Sequence, residues 1–471
     1  MDTDDGAADD ADPAAAITFG TDGWRARLSE FTDERVRMVA QAVASHLAEE
    51  GYGDAPVGVC YDARPTSRGF AEEVSRVLAA NGHDVVLSDR DRPTPLLAWA
   101  VVDRGLAGGV MVTASHNPPE YNGVKFIPDD GAPALPEVTE AIEANLAAPD
   151  PVAPDEYGRI READLAADHA RHARAFVDAD LSGLTVAYDA MHASGRDTTD
   201  ALLEEAGADV VRLRCDRDPE FGGTDPEPSA ENLEELIATV EDGEADLGVA
   251  NDGDADRIAL VTPGRGFLDE NLFFAALYDH LLADDRGPAV RTVSTTYLID
   301  RLAEAHGQSV VETAVGFKWV ARAMAEHNAL VGGEESGGFT VRGHVREKDG
   351  VLVALLAAAM AAEEPLDDRV DRLLLTHGAI HQDKVSVDCP DDRKAPVIDE
   401  LGDRIPDAVA GQSVDDVVTT DGFKLLLADG SWLLVRPSGT EPKLRVYAEG
   451  ESADRVAELL DAGRDLVEPL V

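Results

Sequence analysis

Short valine-rich stretches that end in polar residues recur along the chain. Each is followed by a segment with helical spacing of its apolar residues. VGVCYDA (57–63), DVVLSD (84–89) and GGVMVTASH (108–116) set the theme. LTVAYDA (184–190), DVVRLR (209–214) and DLGVANDGD (246–254) repeat it, as do TVSTTY (292–297), SVVETAVG (309–316) and ALVGGEESGG (329–338). Strands alternating with helices predict an α/β chain, with mixed or parallel sheets covered by helices on both faces. In such sheets ligands gather at the carboxyl ends of strands, where these polar clusters sit.

At 471 residues the chain exceeds one ordinary domain. Two Pro- and acid-rich stretches, AAPDPVAPDE (147–156) and AEEPLDD (362–368), read as linkers. After the second the pattern changes to strands around Lys384–Asp388 and Gly422–Ala428, then SWLLVRPSGTEPKLRVYAEG and a helix from Ser452, which is an α+β module. A further break just after Asp254–Arg257 separates two similar βα units. We therefore expect an acidic, disordered tail over 1–16 and four modules over 17–150, 151–256, 257–366 and 367–471. The first three are candidates for internal structural repeats.

The formal net charge is −52, with the acidic residues spread through every segment. That distribution fits a folded, carboxylate-rich surface of the kind that concentrated cytoplasmic salt screens, not a disordered acidic domain. No basic stripe exists to neutralise nucleic-acid phosphates. Lysine is scarce: Lys125, Lys318, Lys348, Lys384, Lys394, Lys424 and Lys443 are seven of 41 basic residues. Of these, Lys384, Lys394 and Lys424 read as ordinary survivors. Cys60, Cys215 and Cys389 are far apart, which argues for a reducing compartment and against a disulfide framework or a zinc site. There is no apolar run of about twenty residues to span a membrane, and MDTDDGAADDADPAAA lacks the marks of a signal peptide. A cytoplasmic protein is expected, as monomer or homodimer.

Five stretches carry chemistry. In DGDADR (252–257) three carboxylates alternate with small residues at a strand end, so a turning loop can aim Asp252, Asp254 and Asp256 at one point. Such crowding calls for a cation, and all-oxygen ligands suit Mg²⁺. A calcium-binding helix-loop-helix is excluded, because its sixth and twelfth positions would be Arg257 and Pro263. The plain alternative is an acidic loop in an aspartate-rich chain. RPSGTEPKLR (436–445) combines guanidinium groups, hydroxyls and a glycine into a phosphate cradle, or is an ordinary turn. GGEESGG (332–338) lets backbone approach a ligand, with Glu334, Glu335 and Ser336 available to sugar hydroxyls; HVREKDG, holding Lys348, follows. TASHNPPEYNGVKF (113–126) places Ser115 beside His116 and Asn117 in a proline-stiffened loop, with no GxSxG elbow. FGTDGWRAR (19–27) adds Arg25 behind a glycine-rich turn.

In this order, TASHNPPEYNGVKF, DGDADR, GEESGG and RPSGTEPKLR resemble the α-D-phosphohexomutase superfamily, the phosphoglucomutases and phosphomannomutases, over nearly the whole chain. The resemblance implies three related α/β domains and a smaller α+β one around a central cleft. It implies that Ser115 is a phosphoserine and that Asp252, Asp254 and Asp256 bind Mg²⁺ with its phosphate. Lys125 and Arg257 then lie beside the transferred group, with His116 and Asn117 positioning the serine. Arg25 belongs to the cleft, and Glu334 and Ser336 to the sugar loop. Arg436, Ser438, Gly439 and Thr440, in the motif that Arg445 closes, hold the non-reacting phosphate. The reaction implied is reversible phosphoryl transfer between Ser115 and a hexose phosphate, with glucose 1,6-bisphosphate as intermediate and activator; such transfer needs positioning and charge neutralisation above all.

The phosphomannomutase-like and phosphoglucosamine-mutase-like pattern has His where this chain has Gly338. GEESGG followed by REKDG resembles the glucose-type enzymes, whose lysine there faces the substrate. GFKW resembles their third-domain loop, making Gly316 and Lys318 contacts. Glucose 1-phosphate and glucose 6-phosphate are the expected pair, with mannose, glucosamine and pentose phosphates as alternatives. Two other classes compete. A phosphatase with an aspartyl nucleophile leaves the serine motif unexplained. A non-catalytic binding protein has no use for an intact serine and three aspartates.

Overall fold

In the computed structural model, which describes residues 13–20, 22–53, 55–439 and 441–471, the valine-rich stretches become strands of three similar sheets. The first contains β1 (Trp24–Arg27), β2 (Val57–Tyr61), β3 (Val85–Ser88), β4 (Gly108–Val112), β5 (Tyr121–Pro128) and β6 (Ile160–Ala163), in the order β1-β5-β4-β2-β3-β6. β2 and β4 pair in parallel and are buried at every residue, which is why VGVCY and GGVMV read as continuous apolar runs. The second contains β7 (Thr185–Asp189), β8 (Asp209–Leu213), β9 (Leu247–Asn251), β10 (Ile258–Thr262) and β11 (Gly266–Leu268), in the order β11-β10-β9-β7-β8. The third contains β12 (Ala289–Thr292), β13 (Val310–Thr313), β14 (Val331–Gly333) and β15 (Phe339–Val341), in the order β13-β12-β14-β15.

One plan underlies all three. β5-β4-β2-β3, β10-β9-β7-β8 and β15-β14-β12-β13 are the same succession: an antiparallel strand, then the third, first and second parallel strands. In each sheet the third parallel strand turns back into its antiparallel neighbour through a polar loop. Those loops hold Ser115, the three aspartates, and Glu334 with Ser336. Three of the five predicted stretches thus occupy equivalent hairpin positions.

The fourth sheet is wholly antiparallel: β16 (His381–Asp388), β17 (Ala408–Val409), β18 (Gln412–Val418), β19 (Phe423–Leu427), β20 (Trp432–Pro437) and β21 (Lys443–Gly450), ordered β16-β21-β20-β19-β18-β17. Helices Asp391–Gly402 and Ala453–Val467 cover one face. The other presents Trp432, Leu434 and Tyr447 to Val293, Tyr297 and Val315 of the third module. A second junction forms where helix Gly350–Glu363, buried from Gly350 to Met360, packs on helices Ala166–Val177 and Thr199–Glu205 and on β9. Its alanines permit that close approach, and each buried Leu or Val contributes about 1.5–3 kcal/mol.

The four-module architecture stands, but its expected borders shift. β6 pairs with β3 and belongs to the first sheet, beyond 150. β10 and β11 complete the second sheet beyond 256. Helix Leu366–His377 packs on Glu270–Asp284 of the third module, beyond 366. In each case the composition marks a turn, whereas the border follows from strand or helix pairing further on. Of the expected tail, residues 1–12 lie outside the described residues and Pro13–Ala16 form a 3₁₀ turn. Among the described residues no helix is long and apolar enough to cross a membrane.

Candidate active site

Ser115 follows β4 in the left-handed region, at φ 51°. Its Oγ donates to Asp252 Oδ2 at 2.8 Å and lies 3.3 Å from His116 Nδ1. Burial, then the nearby Arg257 and Arg25 guanidinium groups, holds the His116 ring well below the usual imidazole range. Asn117 Oδ1 accepts from Arg25 Nη1 at 3.1 Å. The serine loop and the aspartate loop are pressed together: a Cβ on Gly253 would stand 2.2 Å from the Ser115 carbonyl oxygen. Only glycine fits there.

Asp252, Asp254 and Asp256 are fully buried, and each offers a carboxylate oxygen within 4.8 Å of the others'. Asp254 Oδ1 and Asp256 Oδ1 are buried with no hydrogen-bond partner, although Asp254 Oδ2 accepts from Thr94 at 2.6 Å. Burial, reinforced by the two neighbouring carboxylates, raises Asp252 well above the ordinary carboxylate range. Three converging hard oxygen donors, two with unpartnered atoms, fit a divalent cation such as Mg²⁺. Lys125 Nζ bridges Asp254 and Asp256 at 3.0 and 3.1 Å and reaches Asp22 at 2.8 Å. Lys348 Nζ lies 3.2 Å from Asp256 and 3.0 Å from Glu347. Burial opposes both charges, but the surrounding carboxylates prevail and hold both lysines above their ordinary value. Arg257 donates its backbone N–H to Asp252 Oδ1 at 3.2 Å, and its side chain lies 3.9 Å from Asp256.

The sugar-loop candidates connect to this centre through Arg257, which pairs with Gly338 in an isolated antiparallel bridge. Glu334 is buried and accepts the Gly316 N–H at 2.9 Å; burial, then Glu335, raises its carboxyl to about 7. Ser336 is half-buried on the same turn. Gly338 packs against the lysine of the following motif: a Cβ there would stand 2.5 Å from Lys348 Cδ. A side chain at 338 would therefore have to push Lys348 from this inward position. Lys318 Nζ lies 5.8 Å over the Trp319 ring.

The chain of contacts continues into the fourth module. Asp421 Oδ2 accepts both the Val315 N–H at 3.2 Å and Arg436 Nε at 2.9 Å, which joins the Gly316 turn to the cradle. Ser438 is buried, Gly439 exposed, and Arg445 donates to Glu441 at 2.7 Å. Thr440 lies outside the described residues.

Several contributors escaped the sequence analysis. Asp62 and Arg64, buried at the carboxyl end of β2, grip the serine loop; as polar residues closing an apolar strand they carried the same signal as the predicted clusters. Asp22 and Thr94 had no distinctive spacing. The reading of Lys394 and Lys424 as ordinary survivors is corrected. Lys394 Nζ donates to the Ser438 and Glu441 carbonyls at 2.7 and 2.5 Å, pinning the cradle. Lys424 is buried at the junction with the third module, donating to Val293 O at 2.7 Å beneath the Tyr297 and Trp432 rings. Lys384 is exposed, as an ordinary survivor would be.

A second group of ligand-type side chains lies behind Lys348. Asp349 Oδ2 accepts from His169 Nε2 at 2.6 Å and His344 Nε2 at 2.7 Å, while its Oδ1 caps helix Gly350–Glu363. His172 Nε2 meets His344 Nδ1 at 3.1 Å and stacks on Trp99.

Models of the phosphoglucomutase/phosphomannomutase domains match the chain in order: α/β/α domain I over 16–152, domain II over 167–265, domain III over 269–376 and the C-terminal domain over 385–466. A Methanopyrus kandleri protein, provisionally designated a phosphoglucosamine mutase, is 35% identical over 95% of this chain and 97% of its own. A phosphoglucomutase/phosphomannomutase of Thermococcus kodakarensis is 33% identical over 96% of this chain and 98% of its own. The crystal structure of a Thermus thermophilus protein, provisionally designated a phosphomannomutase, superposes with a TM-score of 0.84 at 33% identity, covering 96% and 99% of the two chains. Four domain matches in order, and identity sustained along almost the full length, show that the chain belongs to the phosphoglucomutase/phosphomannomutase family of mutases.

Proposed function

We propose that the protein interconverts glucose 1-phosphate and glucose 6-phosphate, using phosphorylated Ser115 and a glucose 1,6-bisphosphate intermediate. The observation that carries this reading is the 2.8 Å contact between Ser115 Oγ and Asp252, which puts a buried hydroxyl against a converging carboxylate triad. Asp252, Asp254 and Asp256 would hold Mg²⁺, which neutralises charge on the migrating phosphoryl group.

The steps balance without any other reactant. The phosphorus–Oγ bond at Ser115 breaks as the free sugar hydroxyl forms its own bond to phosphorus, and Ser115 regains a proton for the one the hydroxyl loses. The bisphosphate then presents its other end, the serine takes that phosphoryl group back, and the isomer leaves. Lys125, Lys348 and Arg257 line the path of the migrating group as fixed cations. Arg436 with Ser438, Gly439, Thr440 and Arg445 would hold whichever phosphate is not reacting, with Arg25, His116, Gly316, Lys318, Glu334 and Ser336 around the sugar.

The packing of Lys348 on Gly338 supports glucose, because a histidine at 338 would have to displace that lysine. Glucosamine phosphate is the second reading. The Methanopyrus relative's designation favours it, and paired Glu334 and Glu335 could face an ammonium group. Initial rates with glucose, mannose, glucosamine and ribose 1-phosphates, primed with the matching bisphosphate in concentrated KCl, separate the two. We expect glucose 1-phosphate to lead in kcat/KM by about tenfold or more. A lead for glucosamine 1-phosphate would replace the glucose reading.

A further inference from the structure

Arg64 spends its hydrogen bonds in an unusual way for a buried arginine. Its side chain is fully buried, and Nε donates to Asp62 Oδ2 at 2.9 Å. Nη1 donates to the carbonyls of Pro118 at 2.5 Å and Tyr121 at 3.1 Å; Nη2 donates to those of Ser115 at 2.8 Å and Asn117 at 2.5 Å. All five guanidinium N–H groups are thereby committed, four of them to the backbone of the loop carrying the serine. An arginine kept only to neutralise Asp62 would need no such array.

Asp62 holds the same loop from the other side. Its Oδ2 accepts from Thr113 Oγ1 at 2.7 Å, and Thr113 Oγ1 accepts the Ser115 N–H at 2.8 Å. Asp62, Thr113, Ser115 and Arg64 therefore close a ring that grips Ser115 by both its N–H and its C=O. The gripped residue has φ 51°, a conformation costly for a side chain larger than glycine and kept only where the surroundings dictate it. The same Ser115 carbonyl is the surface on which Gly253 of the aspartate loop packs. Arg64 also lies 5.2 Å beneath the Phe221 ring, and Arg217 Nη2 donates to the Ala63 carbonyl at 3.1 Å, so the second module closes over the ring.

We propose that Arg64 is the positioning residue of Ser115: with Asp62 and Thr113 it fixes the left-handed peptide that aims Oγ at Asp252, so that phosphoryl transfer to and from the serine depends on it. The proposal rests on Ser115 being the phosphoryl carrier. Arg64 touches neither the sugar nor the migrating group; it acts through the loop. A displacement of the nucleophile by about 1 Å can cost on the order of 10²-fold in rate, and sugar-phosphate binding by the other loops should be spared.

Arg64→Lys keeps the charge opposite Asp62 but surrenders most of the carbonyl contacts. Three quantities are measured: kcat and KM for glucose 1-phosphate, the rate at which glucose 1,6-bisphosphate phosphorylates the dephosphorylated enzyme, and the melting temperature. We expect kcat and the phosphorylation rate to fall together by about 10²-fold, with KM within about threefold and a cooperative melt retained. A phosphorylation rate equal to the wild type's, or a loss confined to KM, would overturn the proposal. If Arg64→Lys does not fold, Thr113→Val decides, since it opens the N–H side of the ring alone; it should slow phosphorylation by about tenfold, and an unchanged rate would be equally fatal. Failure of the wild-type enzyme to take up phosphate at Ser115 is a different result, and it removes the functional reading beneath the proposal.

Discussion

The aspartate loop and the histidine joint behind it are both buried clusters of metal-ligating side chains, yet they leave different things undone. Around Asp252, Asp254 and Asp256, two carboxylate oxygens have no partner and the nearest cations, Lys125 and Lys348, are shared with Asp22 and Glu347. Around Asp349, one oxygen takes two imidazoles, the other takes two helix N–H groups, and no side-chain atom of Asp349, His169 or His344 is left buried and unpartnered. One cluster is three carboxylates and the other two imidazoles with one carboxylate, both largely buried, but what separates them is satisfaction. A group that lacks partners in the folded chain awaits one from outside, whereas a group that has them all holds the chain to itself. The first cluster therefore reads as a binding site. The second is a joint between the helices bearing Trp99, His169 and the capped Gly350–Glu363.

Substitution should separate the two clusters. Asp252→Asn should lower kcat by about 10²–10³-fold with little change in melting temperature, and chelation should mimic it in the wild type, reversibly on adding Mg²⁺. His169→Ala should do the reverse, costing about 1–3 kcal/mol of stability through the donor lost to buried Asp349, while kcat at low temperature stays within about threefold. A stable His169→Ala enzyme that lost activity, or one whose defect extra divalent metal repaired, would erase the distinction.

A smaller effect concerns acid. Burial first, then the rings of His344 and His169, pushes His172 down from 6.5 to about 4, against the weaker pull of Asp349 and Asp103. The folded protein therefore declines a proton that the unfolded chain accepts. This part of its stability is complete above about pH 6.5 and is lost as pH falls towards about 4. Denaturant midpoints measured across that range should decline on acidification and decline less in His172→Gln. Equal slopes in the two proteins would show that His172 does not carry the effect.

The sequence announced the fold through β2, β4, β9 and β14, whose apolar runs are dictated by burial on both faces, and it announced the three hairpin loops through the polar residues that end those runs. It did not announce that β6, β10 and β11 lie beyond the expected borders, because pairing across a loop leaves no compositional mark. The site divides in the same way. Ser115, the three aspartates and Glu334 stand in local motifs. Arg64 acts on the Ser115 carbonyl 51 positions away, Lys394 on that of Ser438 44 positions away and Asp421 on Arg436 15 positions away. Asp22 meets Lys125 from the far end of the first module. No spacing rule links any of these pairs. The lysines show the limit best: scarcity flagged Lys125 and Lys348 once a motif surrounded them, while Lys394 and Lys424, each with a structural duty, looked idle.

Every step of the proposed reaction passes through a phosphoryl group on Ser115. Incubating the protein with radiolabelled glucose 1,6-bisphosphate and mapping the label after digestion tests it most directly. The expected result is an acid-stable phosphoserine at Ser115, formed in turnover and missing from Ser115→Ala. An alkali- and hydroxylamine-labile acyl phosphate on Asp252 or Asp254, or label that persists in Ser115→Ala, would contradict it.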